Sequence, residues 1–156
     1  MSTVVAEGRV LIGRPLEDVF SFASNPNNEP RWHTDILAVR PAPGSPAGGE
    51  MPHSWTRGSM WNVTVQFMGR MEGEVEVTAF EPNHRIEFTT RTGRLRPIAT
   101  CLFEPADRAT LVTRHVEIPL HGLSRVMKPM MQRMGTQRQQ RFVENLKRIL
   151  ESAGDD

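Results

Sequence analysis

The stretch "SMWNVTVQFMGRMEGEVEVTAF", Ser59 to Phe80, decides the fold. Trp61, Val63, Val65 and Phe67 alternate with Met60, Asn62, Thr64 and Gln66. After Met68-Gly69-Arg70, Met71, Val75 and Val77 alternate with Glu72, Glu74 and Glu76. A period of two places the apolar set on one face and the polar set on the other, as in an antiparallel sheet with one wet side. The interruption reads as a hairpin turn, with Gly69 supplying the unusual backbone angles.

Downstream, "HRIEFTTRTG", "LRPIATCLFEP" and "ATLVTRHVEIPL" add three candidate strands, punctuated at Pro82-Asn83, Gly93 and Pro105 to Arg108. Ile86, Phe88 and Thr90 alternate with polar neighbours, which places Phe88 inward. Pro97 puts the start of its strand at an edge or bulge. Upstream, Ser2 to Ile12 reads as a strand, followed by a helix over "GRPLEDVFSFASN". There Pro15 suits the first turn, Glu17 and Asp18 its positive end, and Val19, Phe20 and Phe22 an apolar side. A second short helix around Asn28 to Trp32 leads into the strand "TDILAVRPA". Residues 41–58 hold four prolines and four glycines, a long loop of the kind that often covers a binding site. From His121 the chain is helical in composition and period. The expectation is one α+β domain over 1–156. About seven antiparallel strands curve around a long C-terminal helix, with two short helices after the first strand.

At 156 residues the chain suffices for one core. Nineteen basic against eighteen acidic residues, a net charge of +1, argue against wholesale nucleic-acid binding and against disorder. No apolar run has the length of a membrane span, and "MSTVVAEGRV" lacks the pattern of a secretory signal. Cys101 is alone, so no internal disulfide can form; a cytoplasmic protein is the simplest reading.

On a helical wheel Leu123, Met127, Met130, Met131 and Met134 share a stripe, and Phe142, Leu146 and Ile149 form a second. The methionines are either ordinary core or, being flexible and polarizable, the wall of a cavity that repacks around guests. "TQRQQR" between the stripes is either a section in water or a place where Arg138 faces inward, with Gly135 allowing close backbone approach. An inward guanidinium requires an internal carboxylate or a ligand acceptor; the solvated reading stands slightly ahead. Pro129 marks a kink or the true start of the helix. Arg125, Lys128, Arg133, Arg138, Arg141, Lys147 and Arg148 make the helix basic: a solvated face, or a dock for an acidic partner, an anionic membrane or RNA. No aromatic residues suited to base stacking interleave with it.

None of the five histidines, His33, His53, His84, His115 and His121, forms a helical pair or a cluster with acid or cysteine at metal spacing. His115 and Glu117 share a strand face, as a solvent-facing pair or a weak acid–base pair. Val112, Val116 and Ile118 favour the other face of that strand as the inner one, which carries Arg114 inward. No nucleophile elbow, phosphate loop or dinucleotide fingerprint is present, and no metal or cofactor is expected.

"IGRPLEDVFSFASNPNNEPRW", "ATLVTRHVEI" and "RFVENLKRILES" together resemble the START-like, helix-grip superfamily, or SRPBCC, that includes polyketide cyclases and dehydrases. The resemblance spans nearly the whole chain and implies a cavity between sheet and helix, with Trp32 closing one end as core or as ligand wall. The expected walls are Trp32, Trp61, Val63, Val65, Phe67, Val75, Phe88, Met127, Met130, Met131 and Met134, with Arg114 and Arg138 as polar contacts. Three functions follow. The first is binding of a lipid, isoprenoid or polyketide-like molecule. The second is a cyclase or dehydratase using the same cavity, although the chain has no tyrosine to serve there. The third is an RNA or protein interaction module acting through the basic helix. A hydrophobic small molecule is the expected partner; a second copy of the chain is a further candidate.

Overall fold

The computed structural model describes residues 2–43, 51–66, 69–122 and 126–153. Along the chain run β1 (Ser2–Ile12), α1 (Leu16–Ala23), a 3-10 turn (Pro26–Asn28), α2 (Glu29–Trp32), β2 (Ile36–Pro41), β3 (Met60–Gln66), β4 (Arg70–Glu81), β5 (Arg85–Arg91), β6 (Ile98–Ala106), β7 (Ala109–Leu120) and α3 (Met127–Ala153). The strands form one antiparallel sheet in the order β1-β7-β6-β5-β4-β3-β2. The helix-grip expectation holds.

The alternation that announced the hairpin sets its register. Trp61 pairs with Val75, Val63 with Gly73 and Val65 with Met71, so the apolar residues of both strands share the inner face. Gly69 turns the chain at φ 112°. Register shifts between Ile36 and Ala38 and between Val77 and Ala79 bend β2 and β4, as bulges do, and help the sheet to curve. Phe67, Met68 and Leu123 lie outside the described residues. Pro129 is the third residue of α3, where backbone N–H groups have no helical acceptor anyway, so proline marks the start and costs no bond.

The C-terminal half of α3 buries Phe142, Val143, Leu146 and Leu150 against the inner face, where Ile12, Val112, Phe103 and Val77 are almost fully enclosed. Its other duty is at the sheet edge. β1 pairs with β7 on one side only, and α3 serves the other. Gln132 Oε1 accepts from Val5 N–H at 3.3 Å. Gln140 accepts from Arg9 N–H at 3.0 Å and donates to Arg9 C=O at 2.8 Å. Lys147 Nζ donates to Leu11 C=O at 2.7 Å, and Glu151 accepts from Gly13 N–H at 2.8 Å. Val5, Arg9 and Leu11, and Gly13 just past the strand, are all odd-numbered, since alternate residues of an antiparallel strand direct both backbone groups to the same edge.

The polar run 136–141 is therefore not a section surrounded by water: Gln139 is buried, Gln140 binds β1, and Arg138 pairs with Asp35. Gly135 does lie at a close approach, since a Cβ there would sit 2.9 Å from Ala6 Cβ. On the facing strand, a Cβ on Gly8 would sit 2.5 Å from the Gln139 carbonyl carbon. Backbone cannot yield as a side-chain tip does. Gly8→Ala is expected to destabilise the fold by about 1–3 kcal/mol. Its urea midpoint should fall with an unchanged slope; an unaltered midpoint would refute this tight crossing.

Candidate functional site

Four polar side chains converge inside the grip. Arg114 stands on the inner face of β7, between Val112 and Val116, and is 4 % exposed. Its Nε donates to Gln139 Oε1 of α3 at 2.9 Å, and its Nη2 lies 3.2 Å from His33 Nδ1. Glu29 Oε1 lies 3.3 Å from the same Nδ1 and 3.8 Å from Arg114 Nη1. The guanidinium carbon sits 5.4 Å from the Trp32 ring centre and 6.0 Å from that of Phe142, within cation–π range of both. The Phe142 ring is also 4.3 Å from His33.

Short-range sequence explains how α2 contributes. Glu29 and His33 are four residues apart, which places them on one side of a single helical turn. The turn is held against α3 by Asn145 Nδ2, which donates to Trp32 C=O at 3.1 Å. Reading the histidines for metal spacing passed over this acid–histidine pair. The i, i+4 spacing was legible; the burial that gives it meaning was not. Among the described residues no three His, Cys, Asp or Glu groups gather as a metal site.

Burial first, and the Arg114 charge second, lower the His33 pKa below its ordinary 6.5 despite the nearby Glu29. The ring is neutral at pH 7. Its Nδ1 can accept from Arg114 or donate to Glu29, but one atom cannot do both. With the proton on Nδ1, Glu29 Oε1 gains a donor and Nε2 is left as a free base. Glu29 Oε2 and Trp32 Nε1 are buried without a hydrogen-bond partner. Cys101, opposite Arg114 on β6, is an inert thiol, pushed up to about 12 by burial.

The remaining expected walls separate into groups. Trp61, Val63, Val75 and Phe88 are buried on the inner face, and Val65 and Met131 are partly buried. Met127, Met130 and Met134 do not line the packed interior; they are about half exposed. Arg138 pairs with Asp35, an acceptor supplied by the protein itself. His115 is on the outer face, 3.0 Å from Glu7 and 3.2 Å from Glu117. Burial alone would lower its pKa, but hydrogen bonds to Glu117 and Glu7 outweigh that and raise it.

Sequence reading missed Trp55. It belongs to the proline-rich connection between β2 and β3, yet it is 2 % exposed. Its ring packs edge-on against Trp61 at 4.7 Å and Phe88 at 5.1 Å, and its N–H on the main chain donates to Ser24 C=O at 2.8 Å. The indole thus covers two of the expected walls. Trp61 Nε1 donates to Ser59 Oγ at 2.8 Å, whereas Trp55 Nε1 is buried with no partner. The expected open chamber is occupied here by the chain's own side chain. A hollow of about 660 Å³ lies instead on the outer sheet face, among Arg40, Asn62, Glu74 and Arg91. A smaller one of about 450 Å³ lies near Pro15 and Pro105. Both are away from the buried ionisable cluster, and the first is ringed by solvated charges. The interior cluster is therefore the candidate site.

Residues 3–151 match the family described as polyketide cyclase / dehydrase and lipid transport. The chain belongs to that family. No curated protein matches its sequence. Among solved structures, a START superfamily protein from Mycobacterium smegmatis aligns with a TM-score of 0.75 at 14 % identity, covering 96 % of this chain and 99 % of that one. DR_A0006 from Deinococcus radiodurans gives 0.67 at 22 % identity over 96 % and 98 %. DynU16, a putative protein of the dynemicin biosynthetic locus, gives 0.63 at 18 % over 96 % of this chain and 48 % of that chain. At these identities the likeness establishes the START-like fold alone. Among the described residues no helix is long and apolar enough to cross a membrane.

Two consequences are measurable. Arg114→Met leaves Glu29 buried without its cation and should cost about 3–5 kcal/mol. Adding Glu29→Gln should recover part of that loss; strict additivity in the double-mutant cycle would show that the two do not interact. For His33, the unfolded chain takes up the proton first as pH falls. The contribution is intact above about pH 6.5 and erodes as pH falls from there toward the lower folded value. His115 titrates with the opposite sign, so the test uses a His115→Gln background. The denaturant midpoint should drop from pH 7.5 to 5.5, and His33→Asn should flatten the drop.

Proposed function

We propose that the protein binds an apolar or aromatic small molecule, of lipid, isoprenoid or polyketide-like chemistry, between the inner face of the sheet and α3. The observation that carries this reading is the buried Glu29–His33–Arg114–Gln139 cluster with carboxylate and indole atoms left unpartnered. Buried polar groups normally find partners, and exceptions concentrate where a ligand or water completes the set. A guest carbonyl or hydroxyl would meet Arg114 and Trp32 Nε1 as donors and Glu29 Oε2 as an acceptor. Trp55 is the guest's stand-in: an aromatic ring, delivered by a connection, seated on Trp61 and Phe88. Binding exchanges that contact for the guest's.

A second reading, turnover of a poly-carbonyl substrate as a cyclase or dehydratase, is favoured by one feature. His33 is neutral, with a carboxylate behind Nδ1, the arrangement of a general base whose Nε2 accepts a proton next to a carbonyl. Orientation of a flexible chain in a shaped interior supplies much of the remaining acceleration.

A thermal-shift panel of fatty acids, isoprenoids, polycyclic aromatics and a poly-β-ketone analogue tests both. A true ligand at one hundred times its dissociation constant stabilises by about 2.7 kcal/mol. Trp55→Ala, which vacates the aromatic seat, should tighten binding of the aromatic compounds. No shift with either wild type or Trp55→Ala would end the binding reading. Product from the poly-β-ketone analogue that disappears in His33→Asn while binding persists would select the enzyme; equal conversion by both proteins would remove His33 from that role.

A further inference from the structure

The N-terminal half of α3 presents an exposed apolar stripe that lies apart from the interior cluster. Met130 is 55 % exposed, Met134 51 % and Met127 46 %, and Val126, just ahead of the helix, is 85 % exposed. At about 100° per residue the three methionines fall within an arc of roughly 60°. Exposed Arg133 borders that arc on one side, and exposed Arg141 falls within it two turns further on. The direction of the stripe is imposed by the fold. Gly135 and Gln139 face the sheet, Gln132 and Gln140 hold the β1 edge, and the methionine side is what remains. Leu37, at the bulge of edge strand β2, adds a half-exposed apolar side chain two residues after Asp35, the partner of Arg138.

Charge narrows the choice of partner. From Val126 to Val143 there are four cations, Lys128, Arg133, Arg138 and Arg141, and no carboxylate; Glu144 is the first acid and ends the basic section. Asp35 answers Arg138 only, while Arg133 and Arg141 make no ion pair among the described residues. An acidic protein surface would match the arginines but not the exposed methionines. An apolar protein patch would match the methionines but leave the arginines unanswered. An anionic bilayer answers both at once, with acyl boundary for the apolar stripe and phosphates for the guanidinium groups.

We propose that this half of α3 seats the protein on the surface of an anionic lipid bilayer. Met127, Met130 and Met134 reach the headgroup–acyl boundary, where flexible thioethers adapt to an irregular surface. Arg133 and Arg141 bind lipid phosphates. The helix lies on the membrane and does not cross it.

The test is co-sedimentation of the full chain with vesicles of equal phosphatidylglycerol and phosphatidylcholine, against phosphatidylcholine alone. Binding is expected to the anionic vesicles only and should weaken with salt. Arg133→Gln with Arg141→Gln should reduce partitioning roughly thirtyfold. Met130→Ser with Met134→Ser should reduce it about tenfold or more, with the melting temperature of both pairs unchanged, since these sites are exposed. A readout independent of lost contacts is Met134→Cys labelled with a polarity-sensitive dye. Buried Cys101 does not compete for the label, and the dye should shift to the blue on anionic vesicles. Absence of binding at low salt overturns the proposal, as does binding that the serine pair leaves untouched or a dye that does not shift. A dimer in sedimentation velocity that the serine pair dissociates, without vesicle binding, would assign the stripe to a second copy.

Discussion

The free edge of β1 is the constraint from which the rest follows. An edge strand exposes a row of backbone donors and acceptors that must be hydrated, covered or paired. Here one helix covers them with side chains: Gln132, Gln140 and Lys147 reach three residues of the strand, and Glu151 reaches Gly13 just past its end. Such bonds fix the height of α3 along β1 and its rotation about its own axis. Gly8 and Gly135 then let the two backbones come close enough for those side chains to reach. Once that crossing is set, Gln139 falls opposite Arg114, Asn145 falls under Trp32, and the methionine stripe is turned away from the sheet.

The interior cluster has a different logic. Taking a guanidinium and a carboxylate out of water costs several kcal/mol per ion, and at 3.8 Å the Arg114–Glu29 pair is too long for a direct hydrogen bond. What offsets the cost is distributed over the Gln139 amide, the His33 ring and the faces of Trp32 and Phe142. A chain built only for stability would do better with apolar residues of the same volume. Keeping charge here while leaving Glu29 Oε2 and Trp32 Nε1 unsatisfied is the departure from consistent packing that sets this region apart from the rest of the core.

The two ends of the sheet are treated unequally. β1 takes side-chain hydrogen bonds from α3 at Val5, Arg9 and Leu11, whereas α3 meets the β2 side through the Arg138–Asp35 pair and through α2. A bulge at Leu37 breaks the regular ladder of that second edge and turns an apolar side chain outward. The apolar surface that the grip does not bury is concentrated on the exposed half of the helix, with single exposed side chains at Leu37 on β2 and at Val5 and Leu11 on β1.

Strand content and the inward faces of β3, β4 and β5 were readable from alternation alone, because a period of two admits no other regular placement of Trp61, Val63 or Val75. On β7 both faces carry apolar residues, so apolar count favoured the Arg114 face and only the packing decided it. The wheel of α3 likewise yielded two stripes. It could not tell which stripe meets the core, because that depends on where the helix bonds to a strand more than a hundred residues earlier. Trp55 was hidden for a related reason: nothing local in a proline- and glycine-rich connection says where its indole ends up. Glu29 and His33 stood at a recognisable spacing, but a four-residue helix acquires chemistry only when α3 and β7 exclude water around it. Local pattern therefore determined the elements and their faces, since backbone geometry is short-ranged. Desolvation and contact between distant segments decided which polar groups form a site, because both exist only after the chain has closed on itself.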